Sequence, residues 1–145
     1  GAAVISAVWL SAATQSIGTI LFNVSTSAAL QAQSVQAQDR FVWTPDADGS
    51  VLFLVSGALA LRAYRHRNRW WNPRAADWWS TQINMIGCIA FGVSAVGAFV
   101  LSSGDVVSSS MANVGTFVGA ICFFLASLVV LPGWNRSKVG ESSDG

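Results

Sequence analysis

Four long apolar stretches constrain the fold of this chain most strongly, and each carries the same short pattern. The pattern is Gly-x-x-x-Phe-x-x-(Ser/Ala), with a polar residue three positions before each glycine. This 3-4-3 spacing places its positions on one face of an α-helix. The copies are Gln15, Gly18, Phe22, Ser25; Asp46, Gly49, Phe53, Ser56; Asn84, Gly87, Phe91, Ser94; and Thr116, Gly119, Phe123, Ala126. We therefore expect four helices that share one kind of packing seam.

The apolar stretches are long enough to cross a membrane. Only 10% of the 145 residues are charged, whereas soluble domains usually contain about 25%. A membrane-spanning helix needs about 20 predominantly apolar residues. We predict a transmembrane domain over 1–134, with spans at about 9–30, 45–64, 78–102 and 111–131, and a disordered cytoplasmic tail over 135–145. The expected fold is an all-α membrane protein, an antiparallel bundle of four transmembrane helices.

The second span is the least obvious, because charged residues flank it closely. Thr44 followed by Pro45 is typical of a helix start, with threonine as the N-cap and proline at the first helical position. Arg62 and Arg65 can extend their guanidinium groups to the headgroups at the other end. We therefore expect this helix to start here, with Asp46 in its first turn.

The first and third spans match beyond the shared pattern. The further matches pair Trp9 with Trp78, Val24 with Val93 and Ser25 with Ser94. The sequence therefore predicts two duplicated helical hairpins, related by a pseudo-twofold axis along the membrane normal.

Basic side chains are concentrated at one end of the predicted bundle. Five arginines follow the second span: Arg62, Arg65, Arg67, Arg69 and Arg74. Basic loops stay on the cytoplasmic side, so we expect both termini there. Topology alone explains this cluster; the alternatives are binding of anionic lipid headgroups or docking of an acidic partner.

Depths estimated at about 1.5 Å per residue align the seams of antiparallel helices in layers. An inner layer at roughly 9 Å would hold Gln15, Asn84, Ser56 and Ala126. The next layers would set Gly18 and Gly87 opposite Phe53 and Phe123, and then Phe22 and Phe91 opposite Gly49 and Gly119. An outer layer at about 24 Å would collect Ser25, Ser94, Thr116 and Asp46. Helices in lipid associate through close approach at small residues, so we interpret the Gly and Phe positions as packing positions.

The two polar layers are the candidate binding sites. Gln15 and Asn84 predict an interhelical hydrogen bond, with a polar ligand contact as the alternative. Asp46 could hold a cation or ordered water together with the hydroxyl groups of the outer layer. The other interpretation is that the Asp46 carboxylate complements the helix dipole and that the hydroxyl groups satisfy one another.

Catalytic and ion-coupled functions are disfavoured by what the spans lack. No Lys, Arg, His or Glu lies in the middle of a span, where proton relays and ion-coupled carriers place such groups. The sequence shows no nucleophile with a paired base and no metal-ligand spacing, so we expect no enzyme activity, no metal site and no nucleic-acid partner. Cys88 and Cys122 are interpreted as small hydrophobic residues. No cofactor is implied, although the aromatic faces leave room for a lipid, a quinone or a pigment.

A further set of short motifs covers most of the chain, from about Gly18 to Leu131. They are Trp43-Thr44-Pro45-Asp46 with Gly49-Ser50 and Phe53-Leu54, then Trp78-Trp79, Asn84, Gly87 and Phe91-Gly92-Val93-Ser94-Ala95. Together they resemble the YrhK-like domain family of small bacterial membrane proteins. The resemblance implies a multi-pass protein of the bacterial inner membrane and brings no activity or catalytic residue with it.

Two functional hypotheses follow from these observations. The first is a non-enzymatic structural or accessory subunit of a larger membrane assembly, whose partners are membrane lipids and either another membrane protein or further copies of the chain. The second is a small channel, carrier or hydrophobic-ligand-binding bundle that uses the polar layers at the ends of the seam.

Overall fold

A computed structural model describes residues 2–31, 34–67 and 71–131 of the chain. The helices are α1 (Ala2–Ala29), α2 (Val35–Ala37), α3 (Thr44–Arg67), α4 (Ala76–Gly97) and α5 (Ser109–Val129). Four helical stretches in these ranges are long and apolar enough to cross a membrane: Ile5–Ala29, Val35–Arg67, Ala76–Gly97 and Ser109–Val129. The expected all-α architecture with four transmembrane helices is thus confirmed. The predicted tail at 135–145 and Arg69 lie outside the described residues.

The second transmembrane stretch starts well before Thr44. Ser34 is its N-cap, and the Ser34 hydroxyl accepts a hydrogen bond from the Ala37 backbone nitrogen at 3.2 Å. A π-helical turn over Gln38–Trp43 then leads directly into α3, and Thr44 itself has helical angles of φ −59 and ψ −50. The prediction that Thr44 caps the helix is therefore wrong. Pro45 has no N–H to donate, and the wider π turn before it accommodates this missing hydrogen bond.

The third transmembrane helix ends at Gly97 rather than at Ser102. A Cβ at Gly97 would lie 2.6 Å from the Ala112 nitrogen, so the end of α4 packs directly against the start of α5. The chain leaves the helix there and forms a loop that an antiparallel β-bridge closes between Val100 and Val106. The chain reverses direction in this loop at Gly104, whose φ of 91 is a backbone angle that residues with a side chain rarely adopt.

Two antiparallel helical hairpins make up the bundle. α1 packs against α3, α4 packs against α5, and the hairpins meet through α3 and α4. Within the described helices, α1 and α5 make no comparable contact. We call this gap between α1 and α5 the open side of the bundle.

Phenylalanine rings fill the centre where the two hairpins meet. Phe53, Cys88 and Phe91 form the buried core, with the Phe22 and Phe123 rings packed against it. Ring centroids lie 5.2 Å apart both in the pair Phe22–Phe91 and in the pair Phe53–Phe123. Each pair joins equivalent positions of the two hairpins, as a pseudo-twofold axis along the bundle requires.

Close glycine contacts let the rings of the core approach the neighbouring helices. A Cβ would lie within 3 Å of a phenylalanine ring in three pairs: Gly18 with Phe53, Gly87 with Phe123, and Gly119 with Phe91. At the expected fourth pair, Gly49 with Phe22, the atom of Phe22 among the three nearest to such a Cβ is its backbone nitrogen, at 3.6 Å. A Cβ at Gly49 would instead lie 3.0 Å from the Gly18 carbonyl oxygen, so α1 and α3 are too close there to admit a ring.

Hydrogen bonds between helices recur at equivalent positions of the two hairpins. At the outer end, the Ser25 hydroxyl donates to the Val42 carbonyl at 2.6 Å, and the Ser94 hydroxyl donates to the Ala112 carbonyl at 2.7 Å. At the inner end, the corresponding bonds are Ser11 to the Ser56 carbonyl at 2.9 Å and Ser80 to the Ala126 carbonyl at 2.8 Å. The hairpins therefore share a geometry, while their origin by duplication stays a prediction.

Candidate functional site

The inner polar layer is a hydrogen-bonded cluster that joins three helices. The Gln15 amide donates from Nε2 to Asn84 Oδ1 at 3.2 Å, and Gln15 Oε1 accepts from Ser56 Oγ at 2.7 Å. Ser56 is completely buried. Asn84 and Gln15, which are equivalent in the two hairpins, thus bond to each other across the centre of the bundle. Both side chains are engaged with protein partners, as the interhelical interpretation requires.

This cluster extends one turn further toward the arginine-rich end than the sequence pattern indicates. The Oγ atoms of Ser11 and Ser56 are 3.1 Å apart. The Ser11 carbonyl oxygen lies 2.8 Å from Ser56 Oγ and competes with Gln15 Oε1 for its single proton. Sequence reasoning missed Ser11 because it lies outside the repeated pattern. Its equivalence to Ser80 was the available signal.

The outer polar layer does not come together as one site. Ser25 is buried and bonds to the backbone of Val42 within its own hairpin. Ser94 and Thr116 bond to each other at 2.7 Å within the second hairpin. The hydroxyl groups are thus satisfied separately by their own hairpins, as a packing role requires.

Asp46 is buried, with 8% of its surface exposed. Its carboxylate has no hydrogen bond or ion pair with any residue in the described ranges. The helical chain continues through Asp46 from Val35, so the carboxylate does not face a free helix N-terminus. Among the described residues, no group of three or more His, Cys, Asp or Glu side chains could hold a metal ion. The expected dipole interaction is therefore not formed, because the helix starts earlier than the sequence suggests.

The arginine-rich end contains a cavity that no sequence pattern indicates. Its volume is about 520 Å³. It is lined by Val8, Ser11, Ala60, Ala63, Tyr64, Arg67, Asp77, Ser80, Thr81 and Val130. Three transmembrane stretches and Val130, which directly follows the fourth, thus contribute to it, and Ser11 connects it to the inner polar layer. We call it the inner cavity.

Tyr64 is the most unusual residue of the inner cavity. Only 7% of the side chain is exposed, and its hydroxyl group is buried without a hydrogen-bond partner among the described residues. Arg67 and Asp77 are exposed at the same cavity, and neither has an ion pair in the described part of the chain. Tyr64, Arg67 and Asp77 therefore line one space.

Tryptophans surround this end of the bundle. The ring centroids of Trp71 and Trp78 are 5.1 Å apart, and those of Trp78 and Trp79 are 4.9 Å apart. Trp79 donates its indole N–H to the Pro73 carbonyl at 2.9 Å. Amphipathic indole rings favour the headgroup region, so we expect this end of the bundle to lie at the membrane interface. Of the predicted headgroup arginines in the described ranges, Arg62, Arg65, Arg67 and Arg74 are exposed.

The outward faces of α1 and α5 carry polar residues as well as apolar ones. On α1, exposed residues at heptad spacing are Ala12, Ser16, Thr19, Asn23 and Thr26. On α5, the exposed residues with the same spacing are Asn113, Phe117, Ala120, Phe124 and Ser127. The hydroxyl groups on these faces donate to carbonyls of their own helices. The Asn23 and Asn113 amides have no hydrogen bond among the described residues, and an unpaired amide that faces lipid is unfavourable.

Comparison of the chain with protein-family models, with curated proteins and with solved structures gives no match. The resemblance to the YrhK-like domain family stays a prediction.

Proposed function

We propose that this chain is a non-enzymatic protein of the bacterial inner membrane, with both termini in the cytoplasm, that serves as a structural subunit of a membrane assembly. The assembly forms through the exposed faces of α1 and α5, and its simplest form contains a second copy of this chain. The observation that carries the proposal is that these two exposed faces occupy the positions equivalent to those that form the interface between α3 and α4.

The α3–α4 interface shows what the repeated surface does when it is paired. Ser50 donates to the Phe91 carbonyl at 3.1 Å, and Trp43 donates its indole N–H to the Ala95 carbonyl at 2.9 Å. A Cβ at Gly92 would lie 3.5 Å from Leu54, an ordinary packing distance. The helices approach more closely at Gly57, where a Cβ would lie 2.7 Å from Met85 Sδ and 3.1 Å from Cys88 Sγ.

The positions equivalent to this interface in the other two helices are exposed. Alignment of Gly18 with Gly87 places Ser16, Thr19, Asn23 and Thr26 of α1 at the positions of Met85, Cys88, Gly92 and Ala95. Alignment of Gly49 with Gly119 places Asn113, Ala120, Phe124 and Ser127 of α5 at the positions of Trp43, Ser50, Leu54 and Gly57. The unpaired surfaces on the open side are therefore the counterparts of a surface that is paired within the chain.

A second copy is the occupant that this equivalence favours. Its α1 offers the surface that α5 requires, and its α5 offers the surface that α1 requires, so a twofold dimer satisfies both faces twice. Small and polar residues are the groups that hold transmembrane helices together, because burial of apolar surface contributes nothing in lipid. The Asn23 amide, which has no hydrogen-bond partner in the described chain, would then lie in an interface rather than against lipid.

Adjacent substitutions on α1 test this assembly. Thr19→Phe inserts a bulky ring into the proposed interface, whereas Ile20→Phe places the same ring one position away, where 61% of the isoleucine is exposed. In mild detergent or lipid nanodiscs, native mass spectrometry should show wild type and Ile20→Phe in an oligomer and Thr19→Phe as a monomer. A wild type that remains a monomer without any stoichiometric companion would contradict the proposal.

Cross-linking locates the interface. We expect a short thiol cross-linker to join a chain carrying Asn23→Cys to a second chain carrying Phe124→Cys, because the equivalent Gly92 and Leu54 are in contact. The pair Ile20→Cys and Phe124→Cys is the control. Equal yields from both pairs would show that the two chains meet without this geometry.

The channel hypothesis receives less support from the geometry. Phenylalanine rings are in contact across the centre of the bundle, which is where a water-filled pore would have to run. The hydroxyl and amide groups of both polar layers form hydrogen bonds between helical segments. The Asp46 carboxylate is the remaining polar group of these layers, and it has no such bond in the described residues.

A further inference from the structure

We propose that the inner cavity binds the zwitterionic headgroup of a phosphatidylethanolamine lipid. Tyr64 and Arg67 contact its phosphate, and Asp77 contacts its ammonium group. This site is separate from the α1 and α5 faces that carry the proposed assembly.

The Tyr64 hydroxyl is the observation that points to a ligand. Buried hydroxyl groups in proteins are almost always hydrogen-bonded, because an unpaired donor in an apolar surrounding is unfavourable. Tyr64 is 7% exposed and its hydroxyl group has no partner in the described residues. The hydroxyl oxygen is enclosed by its neighbours, so a phosphate oxygen in the inner cavity would accept its proton after a small movement of the side chains around it.

The charges at the cavity match a zwitterion rather than a simple anion. Arg67 follows Tyr64 by three residues, so both side chains lie on one face of α3. Asp77 comes from the first turn of α4, and neither charged group is paired within the described chain. A guanidinium group binds phosphate with a planar fork of donors, and a carboxylate pairs with an ammonium group. A purely anionic headgroup would meet Asp77 with unfavourable charge.

The size and position of the cavity fit a lipid headgroup. Its volume of about 520 Å³ lies within the range of about 300–1,000 Å³ found for small-ligand pockets. Trp78 and Trp79, which directly follow the lining residue Asp77 in α4, indicate headgroup depth for this end of the bundle. Val8 of α1 and Val130 after α5 both line it, so its wall offers apolar contacts to the part of the lipid next to the headgroup.

Lipid retention by purified variants tests the proposal. The protein is delipidated in detergent and then incubated in mixed micelles that contain equal amounts of phosphatidylethanolamine and phosphatidylglycerol, and native mass spectrometry measures the bound lipid. We expect one retained phosphatidylethanolamine in wild type. Tyr64→Phe, which removes only the hydroxyl group, and Arg67→Gln should each weaken retention by about tenfold, the effect of one hydrogen bond to a charged group. Asp77→Asn should shift the preference toward phosphatidylglycerol.

Charge-matched controls come from the opposite end of the bundle. Arg40→Gln and Asp48→Asn change exposed residues far from the cavity along the chain, so both should retain lipid like wild type. Calorimetry with soluble phosphoethanolamine distinguishes the source of the headgroup. Binding of this compound without lipid retention would support the same chemistry with a soluble ligand. The proposal is overturned if neither probe binds, or if Tyr64→Phe, Arg67→Gln and Asp77→Asn all bind as wild type does.

Discussion

At the scale of single residues, Asp46 bears most directly on the candidate cation site of the outer layer. The carboxylate is buried, its expected hydroxyl partners are bonded elsewhere, and the helix N-terminus lies ten or more residues away, at Ser34. A buried charge without a partner is destabilising, because desolvation is not compensated. Asp46 therefore either lowers the free energy of unfolding or, among the described residues, is the single ligand of a bound cation.

Asp46→Asn separates these two interpretations. If the carboxylate has no ligand, removal of its charge should raise the free energy of unfolding by about 1 kcal/mol or more, measured by thermal unfolding in detergent with circular dichroism. Asp48→Asn is the control, because Asp48 is exposed two residues further along the same helix, and it should change stability little. A loss of stability in Asp46→Asn alone would instead indicate a bound cation.

At the scale of helices, each hairpin is closed by a hydroxyl-to-carbonyl bond near each end. The Ser25 and Ser94 bonds are short, at 2.6 and 2.7 Å, and both serine side chains are buried. Thr14 also bonds to a carbonyl, at 2.8 Å, but that carbonyl belongs to Leu10 of its own helix. We therefore expect equivalent bonds to contribute similarly to the free energy of unfolding in both hairpins. Bonds within one helix should contribute less, because they do not join two helices.

Alanine substitutions measure these contributions. We expect Ser25→Ala and Ser94→Ala each to lower the free energy of unfolding by about 1 kcal/mol, with Ser94→Ala the larger because Thr116 also loses a partner. Because the two sites lie in different hairpins, the double variant should show additive losses within about 0.5 kcal/mol. Thr14→Val is the control and should have little effect. Strong non-additivity would mean that the hairpins do not fold as separate contact units.

For the molecule as a whole, the sequence predicted the seam better than the arrangement of the helices. The period of a helix fixes which residues share a face, so the contacts of Gly18 with Phe53 and of Gln15 with Asn84 followed from spacing and depth. Which helices are neighbours does not follow from a symmetric pattern, because each seam fits every other seam. The open side between α1 and α5 therefore emerged only in three dimensions. Tyr64 was missed for a related reason: its environment comes from distant parts of the chain, and no local pattern marks it.

Labelling from each side of the membrane tests the topology on which both proposals depend. Arg74 lies before α4 in the basic loop, and Ser103 lies in the loop before α5, so the four-span arrangement puts these exposed residues on opposite sides. With a membrane-impermeant maleimide, Ser103→Cys should react in intact spheroplasts and Arg74→Cys only in inside-out vesicles, since basic loops remain in the cytoplasm. Wild type, with Cys88 buried and Cys122 partly buried, gives the background. Reaction of both variants from one side would contradict the span between them, whereas a clean reversal would retain the four spans and contradict the cytoplasmic termini.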